Sequence, residues 1–215
     1  MQSDLERRAA MHAALGEAVR LAIVDDLTVS DRSPKDRAER HGLHTNLLAH
    51  HLEVLEAAGL VVRFTSAGDR RRKYVRLVRE PLAGLGLSTP PRPGHVVFLC
   101  THNSARSQLA AALWTARTGE SAESAGTHPA PRVHRGAVAA ARRAGLDLGG
   151  AVPRLVGPLD QGVQVVTVCD RAHEELQPTD AWWHWSIPDP VDVGTAAAFD
   201  AVVTDLDARI HALTA

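Results

Sequence analysis

The chain has 215 residues, enough for one large domain or two small ones, and its 45% hydrophobic and 23% charged residues exclude wholesale disorder. A formal charge of −1 excludes a globally basic nucleic-acid binder, but residues 1–82 carry 14 Lys+Arg against 12 Asp+Glu and the remainder 10 against 13. No apolar run approaches the roughly 18 residues of a membrane helix, Met1–Arg8 lacks the apolar core of a signal peptide, and Cys100 and Cys169 make no secreted disulfide framework, so the expectation is a cytoplasmic protein with no membrane partner.

Leu15–Leu27 places Leu15, Val19, Ala22, Ile23 and Leu27 at helical spacing. Ser33-Pro34-Lys35-Asp36 reads as a helix start, with Ser33 as N-cap, Pro34 at the first helical position and Asp36 completing a capping box. That helix ends at His41-Gly42, and another runs from Thr45 to Ala58, stopped by Gly59. Leu60–Phe64 and Lys73–Val78 are strand-like, with the basic turn Thr65–Arg72 between them. Helix, tight glycine turn, helix and basic hairpin is the order of a winged helix-turn-helix. Leu15–Leu21, Ala49–Val62 and Tyr74–Leu77 resemble the ArsR family of dimeric winged-helix repressors, over roughly residues 10–79. The resemblance implies a homodimer on a double-stranded DNA operator, with a recognition helix at 45–57 and a wing at 65–73. Thr45, Asn46 and His50 would face base edges, and Arg70, Arg71, Arg72 and Lys73 would contact the phosphates. The plain alternative for the basic run is a solvated turn. Many family members sense metals through thiolates, but residues 1–82 contain no cysteine. His41, His44, His50 and His51 show no ligand spacing, and no metal is expected.

Pro81–Gly94 holds four prolines and three glycines, which sustain neither a helix nor a central strand. It is read as a semi-extended linker at 81–94 between domains at 1–80 and 95–215.

In the second domain the apolar strand His95–Leu99 runs into Cys100-Thr-His-Asn-Ser-Ala-Arg-Ser107, which opens a helix through Trp114. Such a strand-loop-helix can wrap the N–H groups of Thr101, His102, Asn103, Ser104, Ala105 and Arg106 around a tetrahedral oxyanion, with the helix N-terminus adding positive potential. The same field favours the thiolate form of Cys100, the nucleophilic one. Arg106 offers a planar fork for two oxyanion oxygens, the Ser107 hydroxyl can donate to the Cys100 sulfur, and the Asn103 side chain can brace the loop. Asp189, between Pro188 and Pro190, is placed to protonate a leaving oxygen. Cys169 ends the valine-rich strand Val163–Val168. In a parallel sheet it would share the ligand-binding edge with Cys100, although a packed core thiol is the plain alternative.

Cys100–Ser107, Ser124–Thr127, Val133-His134, Gly145–Leu148 and Asp189-Pro190 resemble the low-molecular-weight protein tyrosine phosphatase superfamily and, within it, the arsenate reductases. The resemblance covers about 94–213 and implies an α/β, doubly wound domain with a four-stranded parallel sheet. Phosphatases of this kind carry aromatic residues after the Asp-Pro pair, where this chain has Val191-Asp-Val-Gly. Thioredoxin-coupled reductases use two further cysteines, and the segment Ala172–Gln177 that would supply the last has none. The expected function is therefore arsenate reduction through a Cys100 intermediate, with no bound cofactor. Cys169 or an external thiol (mycothiol, glutathione with glutaredoxin, or thioredoxin) would resolve that intermediate. The alternatives are a phosphatase acting on phosphotyrosine or small phosphomonoesters, and a DNA-binding regulator whose second domain senses arsenic or oxidants.

Overall fold

A computed structural model describes residues 4–35, 42, 44–82, 93–160 and 162–214. The chain divides into two compact units: Met1–Ser66 with Arg70–Pro90, and Ala67–Asp69 with Pro91–Ala215.

The first unit contains helices α1 (Asp4–Leu15), α2 (Ala18–Leu27) and α3 (Thr45–Ala57), then strands β1 (Val61–Thr65) and β2 (Lys73–Leu77). The strands pair antiparallel, from Val61 opposite Leu77 to Thr65 opposite Lys73. Met11 and Ala14, Ile23, Val24 and Leu27, and Leu48, Leu52 and Leu55 turn one face of each helix into a common core with Leu60, Val61, Val75 and Leu77. The sequence predicts one helix over 15–27, but the chain breaks at Gly16-Glu17. The Glu17 carboxylate accepts from the N–H groups of Val19 and Arg20, both at 3.0 Å, and so caps α2 instead of continuing α1. Leu15 and Val19 sit four residues apart in either arrangement, so periodicity is blind to the break. The predicted stop at Gly59 is present, with φ at 72°. Pro34 and Lys35 are helical after Ser33, whereas the capping partner Asp36 and the helix end at His41 lie outside the described residues. Most of the proline-rich segment, 83–92, does so too, and Glu80–Leu82, at its start, forms a 3-10 turn with Leu82 buried.

The second unit is built on a parallel sheet of four strands: β3 (Val96–Cys100), β4 (Ala122–Gly126), β5 (Gln164–Thr167) and β6 (Trp183–His184), ordered β4-β3-β5-β6. Every residue of β3 is buried, as expected of an unbroken apolar run sandwiched on both faces. Helices α4 (Arg106–Thr118), α5 (Arg135–Arg143), α6 (Asp170–Leu176), α7 (Pro190–Val193) and α8 (Ala196–Thr214) complete the unit. Phe98 packs against Trp114 and Trp185, with ring centroids 6.1 and 5.7 Å apart. The chain leaves β3 towards β4 on one side and later returns to β5 on the other. This places the reversal of strand order, where open parallel sheets bind ligands, between the ends of β3 and β5. Among the described residues no helix is long and apolar enough to cross a membrane.

Candidate active site

Cys100 closes β3, and the loop 101–105 carries the chain into α4. A neighbouring segment turns the loop's backbone inward. The N–H groups of Thr127, His128, Ala130 and His134 take the carbonyls of Cys100, Thr101, His102 and Ser104 at 2.8–3.2 Å. Gln108 Nε2 takes the carbonyl of Asn103 at 3.1 Å. With its carbonyls held outward, the loop's N–H groups face its interior. Among the described residues no protein acceptor takes those of His102, Ser104 or Ala105. Ala105 starts α4 without a side-chain cap, leaving the first-turn donors for a ligand. Gly126 lies under this turn, where an added Cβ would come within 2.7 Å of the Thr101 carbonyl and 2.9 Å of Asn103 N.

Asn103 organises the loop. It is fully buried in the left-handed region, with φ at 47°, a conformation asparagine tolerates better than most side chains. Its backbone N–H donates to Cys100 Sγ at 3.2 Å, and its Nδ2 donates to Ser107 Oγ at 2.8 Å. Its Oδ1 accepts from Gln108 Nε2 at 3.1 Å and from Arg154 N at 2.8 Å. Because Nδ2 can only donate, it occupies a Ser107 lone pair and frees the hydroxyl proton for Cys100 Sγ, 3.0 Å away. The sulfur thus has two donors suited to a thiolate.

Arg106 donates through Nη1 to the Ile187 carbonyl at 3.0 Å and through Nη2 to Asp189 Oδ2. Three of its five N–H donors remain for an oxyanion. Asp189 also caps α7, accepting from Val191 N at 3.0 Å, so its carboxyl is anchored at the rim of the loop.

Cys169 follows β5 and is 2% exposed, as is Cys100. Its Sγ lies 3.4 Å from Thr101 Oγ1 in the adjacent loop, so both cysteines share one edge of the sheet. Burial pushes the Cys169 thiol up, the nearby Cys100 adds to this, and Arg106 opposes it. Behind Cys169 lies a buried polar cluster. Thr167 Oγ1 is 2.8 Å from His173 Nδ1 and 2.9 Å from His184 Nδ1, and His184 Nε2 is 3.0 Å from Asp170 Oδ1. Burial alone would raise the Asp170 carboxyl, but interactions with His184 and Ser186 outweigh it and hold the group below the usual carboxylate range. This cluster ties the Cys169 turn to the segment that delivers Ile187 and Asp189. Among the described residues no group of three or more His, Cys, Asp or Glu side chains is arranged to hold a metal.

A cleft of about 810 Å³ opens beside the loop, lined by His102, Ser104, Arg132, Arg135 and Val191 among others.

The predicted residues Cys100, Thr101, His102, Asn103, Ser104, Ala105, Arg106, Ser107 and Asp189 thus converge, with Cys169 alongside. Gln108, Arg154, Ile187 and the His184–Asp170 pair were not anticipated. Only the spacing of His184 from Asp189 and the adjacency of Asp170 to Cys169 could have hinted at the pair. In the first unit Thr45, Asn46 and His50 lie exposed on α3, while His51 turns inward, its Nδ1 3.5 Å from the Glu17 carboxylate. Arg70, Arg71, Arg72 and Lys73 are exposed.

Solved structures with this fold include a YwlE mutant from Bacillus subtilis, 20% identical over 55% of this chain and 95% of that one, with a TM-score of 0.50. An arsenate reductase from Archaeoglobus fulgidus is 32% identical over 54% of this chain and 94% of that one, with a TM-score of 0.47. The Erwinia amylovora tyrosine phosphatase amsI is 18% identical over 60% of this chain and 93% of that one, with a TM-score of 0.49. Residues 95–215, more than half of the chain, match the family model for low molecular weight phosphotyrosine protein phosphatases, and the chain belongs to that family.

Proposed function

We propose that the second unit is a thiol-dependent arsenate reductase and that the first is an ArsR-like winged-helix domain binding operator DNA as a homodimer. The observation that carries the enzymatic half is the cleft beside the loop that follows Cys100. Among the described residues no Phe, Tyr or Trp lines it, and Val191 follows the Asp-Pro pair, so it offers no large aromatic side chain to clamp a phosphotyrosine ring. An inorganic tetrahedral oxyanion needs only the loop. In this reading the inward N–H groups and Arg106 hold arsenate, the Cys100 thiolate attacks arsenic, and Asp189 protonates the departing oxygen so that it leaves as water. A thiol then attacks the Cys100 sulfur. The sulfur–arsenic bond breaks with its electron pair left on arsenic, and arsenite departs. The raised Cys169 thiol is a weak neutral-pH candidate for that second step, which favours an external thiol.

The test is to measure arsenite formation with added thiol and aryl phosphate hydrolysis in the same preparation of the full chain. Thiol-dependent arsenite supports the proposal. Aryl phosphate hydrolysis without arsenite replaces it with a phosphatase working through a cysteinyl-phosphate on the same residues. Duplex binding with neither turnover makes the second unit a sensor. For the DNA half, Arg71→Ala/Arg72→Ala should weaken binding to all duplexes and flatten the salt dependence by roughly one unit of slope per lost phosphate contact. Asn46→Ala should instead alter sequence preference. No affinity of the full chain for duplex DNA at low salt would remove the regulatory half.

A further inference from the structure

Inorganic arsenate leaves the cleft beside the loop without an occupant. The cleft's volume of about 810 Å³ falls within the range of small-molecule sites, roughly 300–1,000 Å³. Ala130, Pro131, Val133, Val138 and Val191 supply apolar lining. Arg132 and Arg135 line it as well and are exposed. Among the described residues no acidic side chain lines the cleft, and none pairs with either arginine. His102 and Ser104 belong both to the cleft and to the oxyanion loop, two and four residues after Cys100. A molecule seated here therefore lies against the oxyanion loop that follows Cys100. Its body meets apolar side chains, and its surroundings favour negative charge.

Resting on the arsenate reductase reading, we propose that this cleft binds the reductant, a low-molecular-weight organic thiol bearing a carboxylate. The carboxylate pairs with Arg132 and Arg135, whose planar forks suit it, and the carbon chain lies on the valines. The thiolate is thereby directed at Cys100 Sγ. Its attack forms a disulfide between Cys100 and the bound thiol as the sulfur–arsenic bond breaks. Arsenic gains two electrons and the two sulfurs are oxidised. A second molecule of the same thiol attacks the sulfur of the first, which leaves as the symmetrical disulfide, and Cys100 is returned as the thiolate. The balance is one arsenate and two thiols giving one arsenite, one disulfide and one water.

The test compares 3-mercaptopropionate, 2-mercaptoethanol and cysteamine as reductants for the full chain and for Arg132→Glu/Arg135→Glu. Reading the variant-to-wild-type ratio for each thiol cancels their different intrinsic reactivities. The kcat/KM for 3-mercaptopropionate should fall by about tenfold relative to that for 2-mercaptoethanol, since reversing two exposed charges near an anion sums several modest surface interactions. The ratio for cysteamine should shift in the opposite direction. On the wild type, added salt should raise the KM for 3-mercaptopropionate selectively. Arsenate turnover with equal variant-to-wild-type ratios for all three thiols would overturn the cleft assignment and leave the reductase reading standing. No arsenite with any thiol would remove that reading and the proposal with it.

Discussion

Cys100 and Cys169 are equally buried and lie at one edge of one sheet, yet their surroundings differ. Cys100 is followed by a loop that aims its amides inward and by a helix of 13 residues, and its sulfur accepts from the amide of Asn103 and lies within reach of the Ser107 hydroxyl. Cys169 caps a helix of 7 residues, its sulfur has longer contacts, 3.4 Å to Thr101 Oγ1 and 3.5 Å to Ala172 N, and burial holds its proton on. Burial by itself does not make a nucleophile; donors aimed at the sulfur do.

The largest test of that contrast is Cys100→Ser. A hydroxyl stays un-ionised in the same cradle, so arsenate and aryl phosphate turnover should both fall to background in steady-state assays. Arg106→Ala should fail comparably. Asp189→Asn keeps the cap on α7 but cannot give a proton, and turnover should drop about 10²–10⁴-fold. Gly126→Ala tests the cradle without touching the sulfur. Its Cβ would press on the Thr101 carbonyl, and thermal unfolding should report a loss of about 1–3 kcal/mol with reduced turnover. Cys169→Ser, assayed with external thiol, should retain turnover within about threefold, since a loss of a few tenths of a kcal/mol is all that a non-participating thiol should cost. The smallest effect is a titration. In Cys100→Ser, alkylation of Cys169 by iodoacetamide should show a midpoint above the ordinary thiol value of about 8.5, and the midpoint should return there in urea. The sign follows from the raised folded value: the proton is held more tightly in the native state. A native midpoint at or below the denatured one would contradict the contrast.

Much of this site is legible in the sequence because it is local. Cys100, Arg106 and Ser107 share one strand-loop-helix, and their spacing reads as an anion cradle because it falls between an apolar strand and a helix start. Cys169 is legible for a topological reason, since parallel strands end on the same edge. What stays hidden depends on register between distant segments. Nothing in the chain order says that Ile187 and Asp189 together hold Arg106, that Arg154 braces Asn103, or that Asp170 reaches His184. In the first unit hydrophobic spacing finds the helix at 45–57 but not the break at Gly16-Glu17, because a capping carboxylate and a helix interior share the same apolar period. His51 is hidden likewise: its inward turn depends on Glu17, 34 positions earlier.

Whether Cys100 is the sulfur meeting both arsenic and the reductant is decided by trapping the enzyme during turnover. The full chain is mixed with arsenate and limiting 3-mercaptopropionate, quenched in acid, alkylated and mapped by mass spectrometry without reduction. The small thiol should be found disulfide-linked to the peptide carrying Cys100, with Cys169 recovered as a free, alkylated thiol. Recovery of a Cys100–Cys169 disulfide, or of the small thiol on Cys169, would contradict it and make Cys169 the resolving group.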